Sequence, residues 1–132
     1  METNNQKTIL IVEDDSMLSN SLQGACASAG YAVSVAHDGE EGLNMALANR
    51  PNVVLLDIMM PKMDGLEVLK NLNAQMGEAK PAIFMFTNLT DMDKIAAALS
   101  DGAAGYFIKA QTPLDDILAK IKEVLEKSPS PG

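Results

Sequence analysis

Residues 53–65 read VVLLDIMMPKMDG and give the main indication of the fold. Four apolar residues run directly into Asp57, and a loop carrying Pro61 and Gly65 follows. A short apolar run closed by turn residues predicts a strand buried on both faces, which is typical of parallel sheets. Asp57 would then stand at the carboxyl end of that strand, where open α/β sheets bind their ligands. An ionised carboxylate at such a place is costly unless it is paired, so its surroundings need to be identified.

The composition limits the classes of function. With 132 residues the chain is predicted to be one domain with room for an ordinary core. A formal net charge of −8 and a pI near 4.4 argue against direct binding to nucleic acid or to an anionic membrane. The sequence contains neither a membrane-length apolar run nor the hydrophobic core of a secretory signal, so we expect a cytoplasmic protein. Cys26, the only cysteine, is predicted to be a buried apolar residue.

Four further apolar runs predict four further strands. They cover residues 8–12, 31–36, 82–86 and 105–108. Between these runs, apolar residues recur at helical spacing, which predicts helices. Two of these helices have a capping pattern at their start, formed by Asp38 with Glu41 and by Asp64 with Glu67. The residues expected to face inward on the first and fourth helices are Leu18, Leu22, Ala25, Cys26 and Ala29, and Met92, Ile95, Ala96 and Leu99.

Five strands that alternate with five helices predict an α/β fold, a doubly wound five-stranded parallel sheet flanked by helices. If the strand order is 2-1-3-4-5, the first and third strands are neighbours. Glu13, Asp14 and Asp57 then converge at one edge of the sheet. Thr87 and Lys109 arrive at the same edge from the fourth and fifth strands.

The chemistry of this predicted site follows from its residue types. Crowded carboxylates favour a hard cation with oxygen preference such as Mg²⁺, which keeps open positions for phosphate oxygens. Lys109 would pair with Asp57 or with a phosphoryl oxygen, and the Thr87 hydroxyl would donate to that oxygen. Together, the carboxylates, Lys109 and Thr87 are suited to in-line phosphoryl transfer to Asp57. As an ionised nucleophile, Asp57 needs no general base.

The joint spacing of these motifs resembles the receiver domain of two-component response regulators, and is similar to the chemotaxis regulators among them. The resemblance covers residues 7–127 and rests on Glu13-Asp14, on LLDIMMPKMDG around Asp57, on Thr87 after IFMF, and on Tyr106 with Lys109. We expect a receiver domain over residues 1–127, with a tail or the start of a linker over 128–132. The strand order is that of the flavodoxin-like fold of this family.

The resemblance implies a role for each site residue. Asp57 would be the phosphoacceptor, with Lys109 and Thr87 as its catalytic partners. Glu13, Asp14, Asp57 and the backbone carbonyl of Met59 would form the Mg²⁺ site, with Glu13 acting largely through water. Thr87 and Tyr106 would take the switch positions. Asp15 and Asp64 are better explained as helix caps than as metal ligands.

The sequence departs from the family pattern at two positions. Ala110 follows Lys109 where the family usually has proline, and Asn88 follows Thr87 where the family usually has a small residue. Neither change removes a group that the chemistry needs. Met59 and Leu89, two residues beyond the aspartate and the threonine, are apolar and bulky, and in this family the side chains at those positions control attacking water. We therefore predict slow self-dephosphorylation.

The resemblance implies a signalling function. The chain would take a phosphoryl group from a phosphohistidine of a sensor histidine kinase or a phosphotransfer protein, and would catalyse its own Mg²⁺-dependent phosphorylation and dephosphorylation without being a turnover enzyme. Phosphorylation would then bias the face formed by the fourth helix, fifth strand and fifth helix towards a downstream output domain or protein. The alanine run at positions 96–98 would permit a phosphorylation-dependent homodimer or a partner helix.

Two alternatives stay open at this stage. The first is a protein-interaction module of the same fold that no longer needs phosphate. The second is a flavin-binding electron carrier of the same topology, but Glu13, Asp14 and Asp15 stand where such a protein needs a phosphate-binding loop. A dehalogenase-type phosphatase would need a second acid at position 59, where the sequence has methionine.

Overall fold

The computed structural model describes residues 6–88 and 92–127. Its strands are β1 (Thr8–Val12), β2 (Ala32–Ala36), β3 (Val53–Leu56), β4 (Ala82–Thr87) and β5 (Gly105–Ile108). Its helices are α1 (Ser16–Ser28), α2 (Gly39–Asn49), α3 (Gly65–Met76), α4 (Met92–Ser100) and α5 (Leu114–Lys127). A short 3₁₀ turn, Gly77–Ala79, follows α3. The expected tail at 128–132 and Leu89 lie outside the described residues.

The five strands form one parallel sheet in the order β2-β1-β3-β4-β5. This order confirms the predicted doubly wound fold. Because the strands are parallel and connected by helices, their carboxyl ends all lie at the same edge of the sheet. β1 pairs with β3 so that Val12 lies opposite Leu56, and the residues that follow these two strands are therefore neighbours.

The core consists of two layers, one on each face of the sheet. Alternate residues of a central strand enter opposite layers, since successive side chains of a strand point to opposite faces. On β3, Val54 and Leu56 pack with α2, α3 and Ala98 of α4, whereas Val53 and Leu55 pack with residues of α1 and α5. All four side chains are buried, as the unbroken apolar run predicts.

The helix starts follow the predicted capping pattern. The side chains of Asp15, Asp38 and Asp64 accept hydrogen bonds from backbone N–H groups of the first turns of α1, α2 and α3. At α2 the capping is reciprocal, because Oδ1 of Asp38 accepts from Glu41 N and Oε1 of Glu41 accepts from His37 N, both at 2.8 Å. The predicted capping roles of Asp15 and Asp64 are confirmed.

Two strand boundaries and two helix faces differ from the prediction. β2 begins at Ala32 and β4 extends to Thr87. On α1, Ala29 is an exposed cap residue, and Ser19 takes a buried position. On α4, of the four residues expected to face inward, only Ile95 is buried, and Met92 is 60% exposed.

The error on α4 has a simple physical reason. Three consecutive alanines give no periodic signal, so the sequence cannot show which of them faces the sheet. The buried positions are Ile95 and Ala98, three residues apart, and this choice turns Ala96 and Leu99 towards solvent.

Within the described residues, none of the helices has the length and apolarity needed to cross a membrane.

Candidate functional site

The site lies where β1, β3, β4 and β5 end. Glu13 directly follows β1, Asp57 follows β3 and Lys109 follows β5, whereas Thr87 is the last residue of β4. Glu13, Asp57 and Thr87 are all buried, although each has a polar or charged side chain. The parallel topology therefore brings together the residues that the sequence predicted would meet, and it buries most of them.

Lys109 joins two of the carboxylates. Its Nζ lies 2.8 Å from Oδ2 of Asp57 and 2.5 Å from Oε1 of Glu13. The lysine side chain is 13% exposed and the two carboxylate side chains are 5% and 1% exposed. Nζ also lies 5.7 Å from the ring centroid of Phe86 on β4. A single cation thus offsets two buried negative charges, which would otherwise repel each other.

Burial and the ion pairs shift the pKa values of Glu13 and Lys109. Burial raises the pKa of the Glu13 carboxyl, and the Lys109 ammonium and the Asp15 N–H only partly offset this. For Lys109, burial works against the charged form, but hydrogen bonds to Asp57 and Glu13 outweigh it and raise the pKa of the ammonium. Asp15 N donates to Oε2 of Glu13 at 3.0 Å, so the cap of α1 also orients this carboxylate.

The loop between β3 and α3 contacts both the side chain and the backbone of Asp57. Met59 N donates to Oδ1 of Asp57 at 3.3 Å, and Gly65 N donates to the carbonyl oxygen of Ile58 at 2.9 Å. A Cβ atom on Gly65 would collide with the backbone carbonyl of Asp57. Only glycine therefore lets the start of α3 approach the phosphoacceptor candidate this closely.

The sequence pattern predicted only a turn at Gly65 and did not indicate this supporting contact. The signal was present, because glycine is a poor helix former and yet stands at the first position of a helix, directly after its cap Asp64.

The carboxylates fit a hard divalent cation. One oxygen from each of Glu13, Asp14 and Asp57 lies within 4.8 Å of the other two. Oε1 of Glu13 is buried and, apart from the ion pair with Lys109, makes no hydrogen bond among the described residues. Asp14 is exposed, which leaves a path from solvent. An all-oxygen donor set of this charge is the kind that Mg²⁺ prefers.

The fourth and fifth strands meet at the side of this cluster. Lys109 N donates to the carbonyl oxygen of Thr87 at 3.0 Å, which continues the pairing of β4 with β5. Tyr106 lies on the edge strand β5 and is 39% exposed. Ala110 N donates to Oδ1 of Asn88 at 3.0 Å, a contact between the two departures from the family pattern that the sequence did not predict.

The chain has relatives among known proteins. Residues 9–122 match the family model of the response regulator receiver domain. The response regulator MprA of Mycobacterium avium is 37% identical over 120 residues, which are 91% of this chain and 51% of that protein. MprA of Mycobacterium ulcerans is 37% identical over the same length. The chain spans about half the length of these curated relatives.

The fold of the chain is also similar to solved structures of response regulators. A CheY-like response regulator receiver domain protein from Methanospirillum hungatei superposes with a TM-score of 0.86 at 31% identity, covering 93% of this chain and 96% of that one. The CheY of a CheX-CheY-BeF₃-Mg²⁺ complex from Borrelia burgdorferi superposes with a TM-score of 0.81 at 26% identity, covering 90% and 89% of the two chains. The match therefore extends over almost the whole fold.

Proposed function

The chain belongs to the response regulator receiver family, and from this premise we propose that it is a signalling receiver phosphorylated on Asp57. The observation that carries the proposal is the bridge from Lys109 to Asp57 and Glu13. A partly buried lysine held between two carboxylates is available to contact a phosphoryl oxygen as soon as one arrives. The phosphoryl group would come from the phosphohistidine of a sensor histidine kinase or a phosphotransfer protein.

The residues divide the reaction between them. A carboxylate oxygen of Asp57 attacks phosphorus while the bond from phosphorus to the donor breaks, and the product is an acyl phosphate. Lys109 moves its contact from Asp57 to the phosphoryl group, and the Thr87 hydroxyl donates to a second phosphoryl oxygen. Because Asp57 attacks in its ionised form, no group has to remove a proton.

The acidic cluster supports a role for Mg²⁺. We assign Glu13, Asp14, Asp57 and the backbone carbonyl of Met59 as the groups that would hold the ion, with Glu13 acting largely through water. When bound, the ion would supply positive charge that offsets the negative charge of the phosphoryl oxygens. The Borrelia burgdorferi complex contains BeF₃ and Mg²⁺, which is consistent with this chemistry.

The output would follow from a switch on the side of β4 and β5. Phosphorylation would draw Thr87 towards the phosphoryl group and let Tyr106, now partly exposed, turn inward. The face formed by α4, β5 and α5 would then change its affinity for an output domain or protein. Since the curated relatives are about twice as long as this chain, that output is itself part of the proposal.

The test is direct phosphorylation. The protein is incubated with a small-molecule phosphodonor, with and without Mg²⁺, and its intact mass is followed for wild type, Asp57→Asn and the matched variant Asp64→Asn. Asparagine caps a helix as well as aspartate does, so Asp64→Asn keeps α3 intact. We expect one added phosphoryl group in wild type and Asp64→Asn, only with Mg²⁺, and none in Asp57→Asn. A folded wild-type protein that stays unmodified would instead support the phosphate-independent interaction module.

A further inference from the structure

Asn88 and Ala110 form a link between two loops of the site. Asn88 directly follows β4 and Ala110 lies two residues beyond β5. Oδ1 of Asn88 accepts a hydrogen bond from Ala110 N at 3.0 Å. One residue earlier on each strand, the carbonyl oxygen of Thr87 accepts from Lys109 N, also at 3.0 Å. The Asn88 side chain therefore adds one more bond to the pairing of β4 and β5, beyond the point where the strands end.

This link acts on the backbone that carries Lys109. The N–H of Lys109 is bound to Thr87, and the next N–H along the chain is bound to Asn88. The turn that follows is closed by Gln111 N, which donates to the carbonyl oxygen of Ile108 at 2.9 Å. The direction in which the lysine side chain leaves the sheet is thus set by bonds on both sides of its Cα atom.

The direction matters because Lys109 has two partners at short range. Its ammonium contacts Asp57 and Glu13 at once, so a shift of the backbone would have to be absorbed by the lysine side chain if both contacts were to be kept. A displacement of about 1 Å at a reacting group lowers a rate substantially, since productive geometry is narrow. A bond that fixes the backbone of Lys109 therefore contributes to the reaction without touching the phosphoryl group.

The two partners of the link are the two positions where the sequence departs from the family pattern. Proline has no N–H, so a proline at position 110 could not donate this bond. A residue without a side-chain acceptor at position 88 could not accept it. The two departures therefore complement each other chemically in this chain, one as donor and the other as acceptor.

We propose that Asn88 is a positioning residue, which holds the backbone of Lys109 in the orientation needed for phosphorylation of Asp57. The proposal rests on the function proposed above. Because Asn88 and Ala110 are exposed, the bond adds little to global stability, and its effect should appear in the rate.

The chain offers a matched control for the test. Oδ1 of Asn52 accepts from Thr8 N at 2.9 Å, which is also a bond from an exposed asparagine to the backbone of a neighbouring strand. It lies at the amino end of β1 and β3, away from Asp57. Asn52→Ala therefore removes the same kind of bond at the opposite end of the sheet, together with a bond that the Thr8 hydroxyl donates to the same oxygen at 3.2 Å.

The first measurement is amide hydrogen exchange at Ala110, followed by NMR in the unphosphorylated protein. We expect exchange to be about 5-fold faster in Asn88→Ala than in wild type, since a hydrogen bond in an exposed place contributes only modestly to stability. Asn88→Asp, which keeps an acceptor oxygen, should restore protection. An Ala110 amide that exchanges equally fast in wild type and in Asn88→Ala would overturn the link.

The second measurement is the rate of phosphorylation by a small-molecule phosphodonor at saturating Mg²⁺. We expect Asn88→Ala to be about 3- to 10-fold slower than wild type, with an unchanged Mg²⁺ dissociation constant, and Asn52→Ala to match wild type. In a Lys109→Met background the Asn88→Ala effect should vanish, because Asn88 acts through Lys109. An effect that persists in that background would assign Asn88 another role.

These outcomes separate the two proposals. A wild-type protein that is not phosphorylated at all overturns the proposed function. A wild-type protein that is phosphorylated, with the same rate in Asn88→Ala, overturns the positioning role alone.

Discussion

Nζ of Lys109 lies 2.8 Å from Oδ2 of Asp57, although the two residues follow strands that are not neighbours in the sheet. β4 lies between β3 and β5, so the lysine side chain crosses the end of β4 to reach the carboxylate. It passes the ring of Phe86 on the way. The charge balance of the site therefore depends on one long side chain that comes from an edge strand.

Removal of that side chain should destabilise the protein and slow its phosphorylation. In Lys109→Met, Asp57 and Glu13 remain buried without a cation, and we expect the free energy of unfolding to fall by about 3 kcal/mol. The phosphorylation rate should fall about 100-fold, because developing charge loses a preorganised partner. Denaturant titration and donor kinetics measure the two effects.

Lys120→Met is the control for this variant. Lys120 pairs with Glu123 on the surface of α5, and loss of such a pair changes stability by no more than about 0.5 kcal/mol. Mg²⁺ should also stabilise Lys109→Met more than wild type, since the ion brings positive charge to the same carboxylates. Equal stabilisation of both proteins would argue against a metal in the acidic cluster.

Gly65→Ala should displace the backbone that carries Asp57. The added Cβ would meet the carbonyl of Asp57, so the loop has to shift, and we expect a loss of about 2 kcal/mol in stability and slower phosphorylation. Gly24→Ala on α1 is the matched change. Its Cβ would meet nothing within 4 Å, and alanine should stabilise that helix by about 0.5–1 kcal/mol. Thermal unfolding of the two variants should therefore shift in opposite directions.

Met59→Asn should shorten the lifetime of the phosphorylated form. The side chain of Met59 is 58% exposed next to Asp57, so the substitution should leave the fold intact while it adds a group that can orient water. Loss of phosphate, followed by intact mass after removal of the donor, should be several-fold faster than in wild type. Leu99→Asn, an exposed change on α4, should leave the lifetime unchanged. Equal lifetimes for Met59→Asn and wild type would contradict the predicted control of water at this position.

Cys26 should be unreactive in the folded protein. It is 1% exposed, and burial raises the pKa of its thiol to about 11. At pH 8 both access and the thiolate fraction are small, so alkylation should require unfolding. Iodoacetamide labelling followed by mass should be rapid only in denaturant. In the variant Cys26→Ser/Ser28→Cys, which moves the thiol to an exposed position, labelling should be rapid in the native state as well.

Ile95 and Leu99, two apolar residues of α4, should differ in their contribution to stability. Ile95 is 1% exposed and Leu99 is 42% exposed, so Ile95→Ala should cost about 2–4 kcal/mol and Leu99→Ala less than about 1 kcal/mol. Chemical denaturation measures both. Similar losses for the two variants would mean that Leu99 is buried in solution, as the sequence pattern alone suggested.

The sequence predicted those parts of the fold that depend on local patterns. The apolar runs located all five strands within one residue at each end, because buried parallel strands leave an unbroken signal. The order of the strands and the convergence of Glu13, Asp57 and Lys109 followed once the family resemblance was recognised. The chemical roles of these residues stay predictions until phosphorylation is measured.

The remaining features depend on contacts that no local pattern encodes. The face of α4 is chosen by how its alanines fit against the sheet, and the bond from Ala110 to Asn88 joins residues on different strands. Both residues of that bond were recognisable as unusual, but each one alone has no evident purpose. Tertiary contact was needed to relate them.

The chain order of the strands has a consequence for folding. Glu13 follows the first strand of the sheet in chain order, whereas Lys109 follows the last, and among the described strands β5 pairs only with β4, at the edge of the sheet. Contacts between such distant segments form late, because closing long loops is entropically slow. A chain in which β5 has not yet docked carries the buried acids without their cation. The capacity to be phosphorylated should therefore appear only in the final step of refolding, and its time course would report completion of the native state.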